Sequence, residues 1–217
     1  MRRVISVVAT SALFMVVAVI AGPTVAGAAS TTECTDFLAP GSYGRVVVPE
    51  GAVCFSDGPI RIHSGLEIQA GATFVLGSEE SGWTTGTING GVRAWDPASV
   101  QIHFATINGG IRIDGGSGPF GPPFDVTWNA IEDNVIHGGA TIVGYDGFWF
   151  GFIRNHVMGT VTLRDNVLED TDGNEYVTNT IHGSLKCSGN SPAAQVGDSQ
   201  GLENVVTGRK AGECADV

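Results

Sequence analysis

The chain has 217 residues, with 11 basic against 22 acidic side chains and a formal net charge of −11. A mean field of that sign disfavours nucleic acid, anionic lipid and polyanionic glycans as partners. Thirty-two glycines and a lack of helix-period apolar patterning beyond residue 30 argue against a helical or α/β protein.

Taken in chain order, Arg2 and Arg3 precede a largely apolar stretch from Val4 to Ile20, closed by Gly22-Pro23 and the small residues Ala26-Gly27-Ala28-Ala29. This pattern predicts a cleaved secretory signal over residues 1–29. It is too short to be a retained span, which needs about 20 uninterrupted apolar residues. No other segment has the composition of a membrane span, so none is expected after cleavage. The remaining 188 residues, 30–217, suit one domain. Removing the two leader arginines leaves nine basic against 22 acidic residues, a net charge of −13.

Residues 30–45 read as a polar lead. Short strands follow at Val46-Val47-Val48, Ile60-Arg61-Ile62, Leu66-Glu67-Ile68 and Thr73-Phe74-Val75-Leu76. Loops are expected at 77–85, at 115–125 (rich in Gly and Pro) and at 169–175, with a long polar coil over 187–201. Between them the motif Asn-x-Val/Ile-x-Gly occurs four times, starting at Asn134, Asn155, Asn179 and Asn204. Degenerate copies sit at Ile88-Asn89-Gly90-Gly91 and Ile107-Asn108-Gly109-Gly110. A period in the low twenties marks stacked units, each too small to bury its own apolar face.

Each unit reads as a strand, a glycine corner and a second strand with period-two alternation. Ile111/Ile113, Val161/Leu163 and Leu185/Cys187 are expected inward; Arg93, Arg112, Thr162 and Lys186 are expected outward. The corner glycines are expected for backbone angles costly to other residues. Like then sits over like at about 4.8 Å. Ile88, Ile107, Ile136, Val157, Ile181 and Val206 form one inward file, and Asn134, Asn155, Asn179 and Asn204 form an amide ladder. The fold class this implies is all-β, a right-handed parallel β-helix with short rungs.

The four cysteines are an even set in an exported chain. Three pairings exist on paper. Stacking in order favours Cys34–Cys54 and Cys187–Cys214 as staples over the exposed strand edges of the two ends. Their spacing does not suit zinc.

Val48-Pro49-Glu50-Gly51-Ala52-Val53-Cys54, the repeated Val/Ile-x-Gly-x-Val/Leu rungs, and the ending from Gly183-Ser184-Leu185-Lys186-Cys187 through Gly212-Glu213-Cys214 resemble a group of uncharacterised secreted actinobacterial proteins. The resemblance covers nearly the whole of residues 30–217 and implies a short right-handed parallel β-helix. It carries no activity with it. Pectate lyases and polygalacturonases share the fold at most, and fold does not fix function.

For a glycan hydrolase the best acid–base candidates are Asp133, Asp165 and Asp146, because such chemistry needs clustered carboxyls. The competing reading makes them corner aspartates bonded to backbone. Asp170, Asp172 and Glu175 have the alternation of a calcium-loop fragment, set against a solvated acidic turn. No cofactor is expected. Tyr145, Trp149 and Phe150 belong to a run of five aromatics in the eight residues 145–152. They read either as a glycan-stacking or protein-contact patch or as core filling. His137 and His182 share a motif position with Met158 between them. Two rungs, about 9.6 Å, put them too far apart to share a metal, and His156, displaced along the strand, is not expected to bridge them. Gly197-Asp198-Ser199 lies in a late coil, the wrong context for a serine nucleophile.

The functional expectation is a non-catalytic extracellular scaffold that binds a glycan or cell-envelope component. A polysaccharide lyase or hydrolase using those aspartates is the alternative. Oligomeric state is left open.

Overall fold

The computed structural model describes residues 30–118, 128–196 and 201–217, with backbone alone at Trp128. Residues 1–29, most of the 115–125 loop and the Gly197-Asp198-Ser199 segment fall outside them.

The chain coils into a parallel β-helix whose strands form three long parallel sheets. Sheet I has nine strands and runs from Thr31–Glu33 to Lys210–Gly212; its middle members are Val92–Trp95, Ile111–Asp114, Ala140–Val143, Val161–Arg164 and Leu185–Ser188. Sheet II has six: Val53–Ser56, Thr73–Leu76, Ser99–His103, Trp128–Glu132, Trp149–Ile153 and Asn174–Val177. Sheet III has eight, from Gly41–Tyr43 to Val205–Val206. Each full coil passes from sheet III to sheet I to sheet II. A minor pair, Asp146–Gly147 with Val167–Leu168, fills the wide corner between sheets I and II.

Like does sit over like. In sheet III, Ile62, Ile88, Ile107, Ile136, Val157, Ile181 and Val206 are successive register partners. All but the terminal Val206 are fully buried. Sheet I alternates as expected, with Ile111 and Ile113 buried and Arg112 exposed between them. The ends are closed by the disulfides Cys34–Cys54 and Cys187–Cys214.

Three expectations are corrected. The supposed polar lead contains the first strands of sheets I and III, Thr31–Glu33 and Gly41–Tyr43. The 169–175 loop ends earlier than expected, because Asn174 and Glu175 open a strand of sheet II. The glycines of the four full motifs are not there for left-handed angles: none of Gly138, Gly159, Gly183 and Gly208 has positive φ. They permit close approach instead. A Cβ on Gly138 would lie 2.6 Å from the carbonyl carbon of Gly109, and one on Gly208 would lie 2.5 Å from the carbonyl oxygen of Gly183. Successive coils touch backbone to backbone at this corner, and only a hydrogen side chain fits.

Left-handed residues occupy the other corners. Phe104, Asp133, Arg154 and Thr178 take φ of 54°, 57°, 54° and 58° between sheets II and III. Three of them directly precede a ladder asparagine. Asn134 donates from its backbone and side-chain nitrogens to Asn155 Oδ1, both at 3.1 Å. Asn155 and Asn179 repeat the pattern onto Asn179 and Asn204. Each side-chain amide also donates to a sheet II carbonyl, as Asn155 does to Ile131 at 2.7 Å. A turn that leaves N–H groups without ladder partners thus receives them from the side chains one coil on. Among the described residues no helix is long and apolar enough to cross a membrane.

Candidate functional site

The coil does not bring the three candidate aspartates together. Asp133 turns the corner between sheets II and III, where the Arg154 guanidinium grips it with Nε at 2.8 Å and Nη2 at 2.9 Å. Asp165 turns a different corner, after the sheet I strand Val161–Arg164, with φ 57° and the Arg164 Nε 3.5 Å away. Asp146 lies exposed on the minor pair. Asp146 and Asp165 share the wide corner, while Asp133 is across the coil. Asp133 and Asp165 are corner residues with arginine partners, and Asp146 is an exposed strand residue.

Of the two readings of the aromatic run, core filling holds for two of the three candidates. Tyr145 and Phe150 are core, each 1% exposed, with their rings 5.4 Å apart. The Tyr145 hydroxyl is hydrogen-bonded to the Asn129 amide. Trp149 is half-buried, its indole lying over Gly151. Of the calcium candidates, Glu175 is buried within sheet II, while Asp170 Oδ1 accepts the Asp172 N–H at 3.1 Å inside the turn. No group of three or more His, Cys, Asp or Glu side chains with metal-holding geometry occurs among the described residues.

Two constellations emerge that single motifs did not signal. The first lies on the outer side of sheet II, beneath the 77–85 loop and its short 3-10 helix Glu79–Ser81. Register pairs His103 with Glu132, and each is 3% exposed. Arg154 reaches Glu132 Oε2 at 3.1 Å and Glu79 Oε1 at 2.9 Å as well as Asp133. Burial pushes the Glu132 carboxyl up to about 8, helped by its hydrogen bond with Glu79 and that neighbour's charge. The same hydrogen bond, with the Arg154 charge, holds Glu79 below the usual carboxylate range. Burial pushes His103 down to about 4. Near neutrality, therefore, a protonated Glu132 donates to an ionised Glu79, Arg154 carries the charge, and His103 is neutral. His103 Nδ1 is 3.8 Å from Glu132 Oε2, too long for a hydrogen bond, and finds no hydrogen-bond partner among the described residues. Such perturbed groups mark active sites and structural networks alike. Here the acid is roofed over, and the network pins the loop to the corner.

Vertical alignment of the coils on the ladder position would have revealed this cluster. His103, Glu132, Ile153 and Val177 each stand two residues before that position, and Asp133 and Arg154 one residue before it.

The second constellation is the outward face of sheet I. Arg45, Arg93, Arg112, Arg164 and Lys186 all project from it, against Glu33, Glu67 and Asp114. Arg45 pairs with Glu67, and Arg112 chelates Asp114 at 2.5 and 2.6 Å. Arg93 is in register with both Glu67 and Arg112 and has no ion-pair partner among the described residues. Along the foot of these side chains the stacked glycines leave a shallow trough. One hollow of about 290 Å³ is bounded by Arg45, Glu67, Arg93 and Trp95, and a neighbouring one of about 320 Å³ by Arg93, Arg112 and Thr141. Both share Gly90 and Arg93. Trp95 is 41% exposed beside them.

No family model, no curated protein and no solved structure matches the chain.

Proposed function

We propose that this is a secreted, non-catalytic β-helix of the actinobacterial type that binds an acidic extracellular glycan or envelope polymer along the outward face of sheet I. The observation that carries the reading is the local concentration of cations there, which opposes the repulsion that the chain's negative mean field exerts on a polyanion. Arginine guanidinium groups suit carboxylate and phosphate, and a partly exposed tryptophan next to an arginine-lined trough suits a sugar ring lying flat. The rung spacing presents Arg93 and Arg112 about 4.8 Å apart on neighbouring strands, a repeat that an extended polyanion can follow. Each exposed ion pair adds roughly 0.2–1 kcal/mol. Affinity therefore depends on many contacts along one polymer, which is where multivalency acts.

A glycan-cleaving reading would rest on Glu132 as a protonated acid. Its burial beneath the 77–85 loop, and the engagement of Glu79 and Asp133 by Arg154, favour a structural role instead.

The test is binding of the purified protein to polygalacturonate and to neutral dextran at low salt and at about 0.5 M salt, where screening is nearly complete over a few ångströms. Binding to the acidic polymer alone is expected, lost in salt and weakened by Arg93→Glu and by Trp95→Ala. Equal binding of dextran, or full binding by Arg93→Glu, overturns the proposal.

A further inference from the structure

Sheet III carries a second outward feature, independent of the glycan reading. His156 and His182 meet there across adjacent coils, with Nε2 to Nε2 at 3.2 Å and ring centroids 4.9 Å apart. The motif position alone did not bring them together, because His156 stands opposite Thr180, two residues before His182. The His182 ring leans diagonally across that gap. Met158 stands one rung from His182 in the same file, 46% exposed, and His137 lies one rung beyond Met158, two rungs from His182.

We infer that His156 and His182 form a surface site for a copper ion, with Met158 as a third, soft donor. The geometry fits a metal edge. Two imidazole nitrogens bound at about 2.0 Å in a tetrahedral sphere lie about 3.3 Å apart, close to the distance the two rings already hold. Without metal, one Nε2–H donates to the other Nε2. The ion replaces that shared proton with the nitrogen–nitrogen distance nearly unchanged, each ring tilting to aim its lone pair at the metal. Both side chains ride on strands locked by the parallel ladder and by the Asn155–Asn179 amide bond directly behind them, so the pair is ordered before binding. Imidazole and thioether together select copper over calcium or magnesium, and copper stands highest among the divalent first-row ions for nitrogen ligands.

The experiment titrates the chelator-stripped protein with CuCl2 by calorimetry and electron paramagnetic resonance, and repeats the titration with Cu(I) under ascorbate. One Cu(II) per chain with nitrogen hyperfine structure is expected. Either His156→Asn or His182→Asn should weaken it by roughly tenfold or more, while His137→Asn leaves it unchanged. Met158→Leu should weaken Cu(I) more than Cu(II). All of these side chains are exposed, and circular dichroism checks that each variant keeps its β signal. Wild-type Cu(II) affinity in His156→Asn or His182→Asn, or an equal loss in His137→Asn, overturns the site. Unchanged Cu(I) binding in Met158→Leu removes the methionine from it. None of these outcomes bears on polygalacturonate binding by sheet I.

Discussion

Replacing Asn155 with alanine tests the amide ladder at its centre. Asn155 is 1% exposed, and its Oδ1 accepts both the backbone N–H and the side-chain amide of Asn134 at 3.1 Å. Its Nδ2 donates to Ile131 O at 2.7 Å and to Asn179 Oδ1 at 3.1 Å. The substitution deprives the buried Asn134 N–H of its side-chain acceptor. A stranded donor of that kind costs about 1–3 kcal/mol, and each further bond lost where the partner keeps another contact costs about 0.5–1.5 kcal/mol. The Asn155 backbone N–H still reaches Asn179 Oδ1, so the loss is confined to one step of the ladder. A destabilisation of about 3 kcal/mol or more follows. Urea denaturation with the disulfides intact measures it against Thr162→Ala, an outward residue on sheet I, for which a change within about 0.5 kcal/mol is expected. If Asn155→Ala and Thr162→Ala unfold at the same urea concentration, the ladder is not what holds the corners.

The glycine file makes a paired prediction. Gly138→Ala places a methyl 2.6 Å from Gly109 backbone atoms and should cost about 3 kcal/mol or more, whereas Gly51→Ala, at φ +68° with nothing within 4 Å, should cost only about 1–2 kcal/mol. Equal melting temperatures for the two variants would show that backbone angle, not coil contact, decides. The buried carboxyl predicts a pH dependence. Because Glu132 titrates at about 8 in the fold against 4.5 ordinarily, the native state holds a proton that the unfolded chain has released, and stability falls as pH rises through that window. His103, pushed down to about 4, loses stability in the opposite direction, as pH falls from 6.5 towards 4. Between pH 6.5 and 8 the slope therefore belongs to Glu132, and Glu132→Gln should flatten it; parallel stability curves for the two proteins over that range would refute the assignment.

Sheets I and III were legible in the sequence because each keeps one face in water, so that Ile111-Arg112-Ile113 and Val161-Thr162-Leu163 print the alternation directly. Sheet II was largely not. Ser99–His103 and Asn174–Val177 are buried on both faces, and a strand covered on both sides loses its period-two signal. The first amide ladder was visible through its fixed motif. A second file, in which Asn166 Oδ1 accepts the Tyr145 N–H and Asn190 Oδ1 accepts the Asn166 N–H, was not. Asn166 and Asn190 stand in unlike contexts, and their equivalence appears only when the coils are superimposed. The same holds for Glu132 and Arg154, which become neighbours by stacking. The His156–His182 contact was missed because a side chain was assumed to stay in its own file.

The division between sheets bears on function. In a solenoid of this kind each coil is fixed by what lies inside it: the isoleucine file, the amide ladders and the glycine contacts leave outward positions largely free of structural demand. Sheet II nevertheless spends its outer face on cover, taking the 77–85 loop and the Glu132 network over it. On sheets I and III the outward positions stay open, and there the residue types are least like those of a generic acidic surface. Arg93 and Arg112 are register partners on neighbouring strands, a pairing of like charges that costs stability where neither is offset; Asp114 offsets Arg112, and Arg93 has no ion-pair partner among the described residues. Stability alone would favour an acid at one of those two positions, as Glu67 beside Arg45 and Asp114 beside Arg112 demonstrate. Arg93, facing solvent over a glycine trough without a counter-ion among the described residues, is therefore the residue on which the proposed anionic partner depends most.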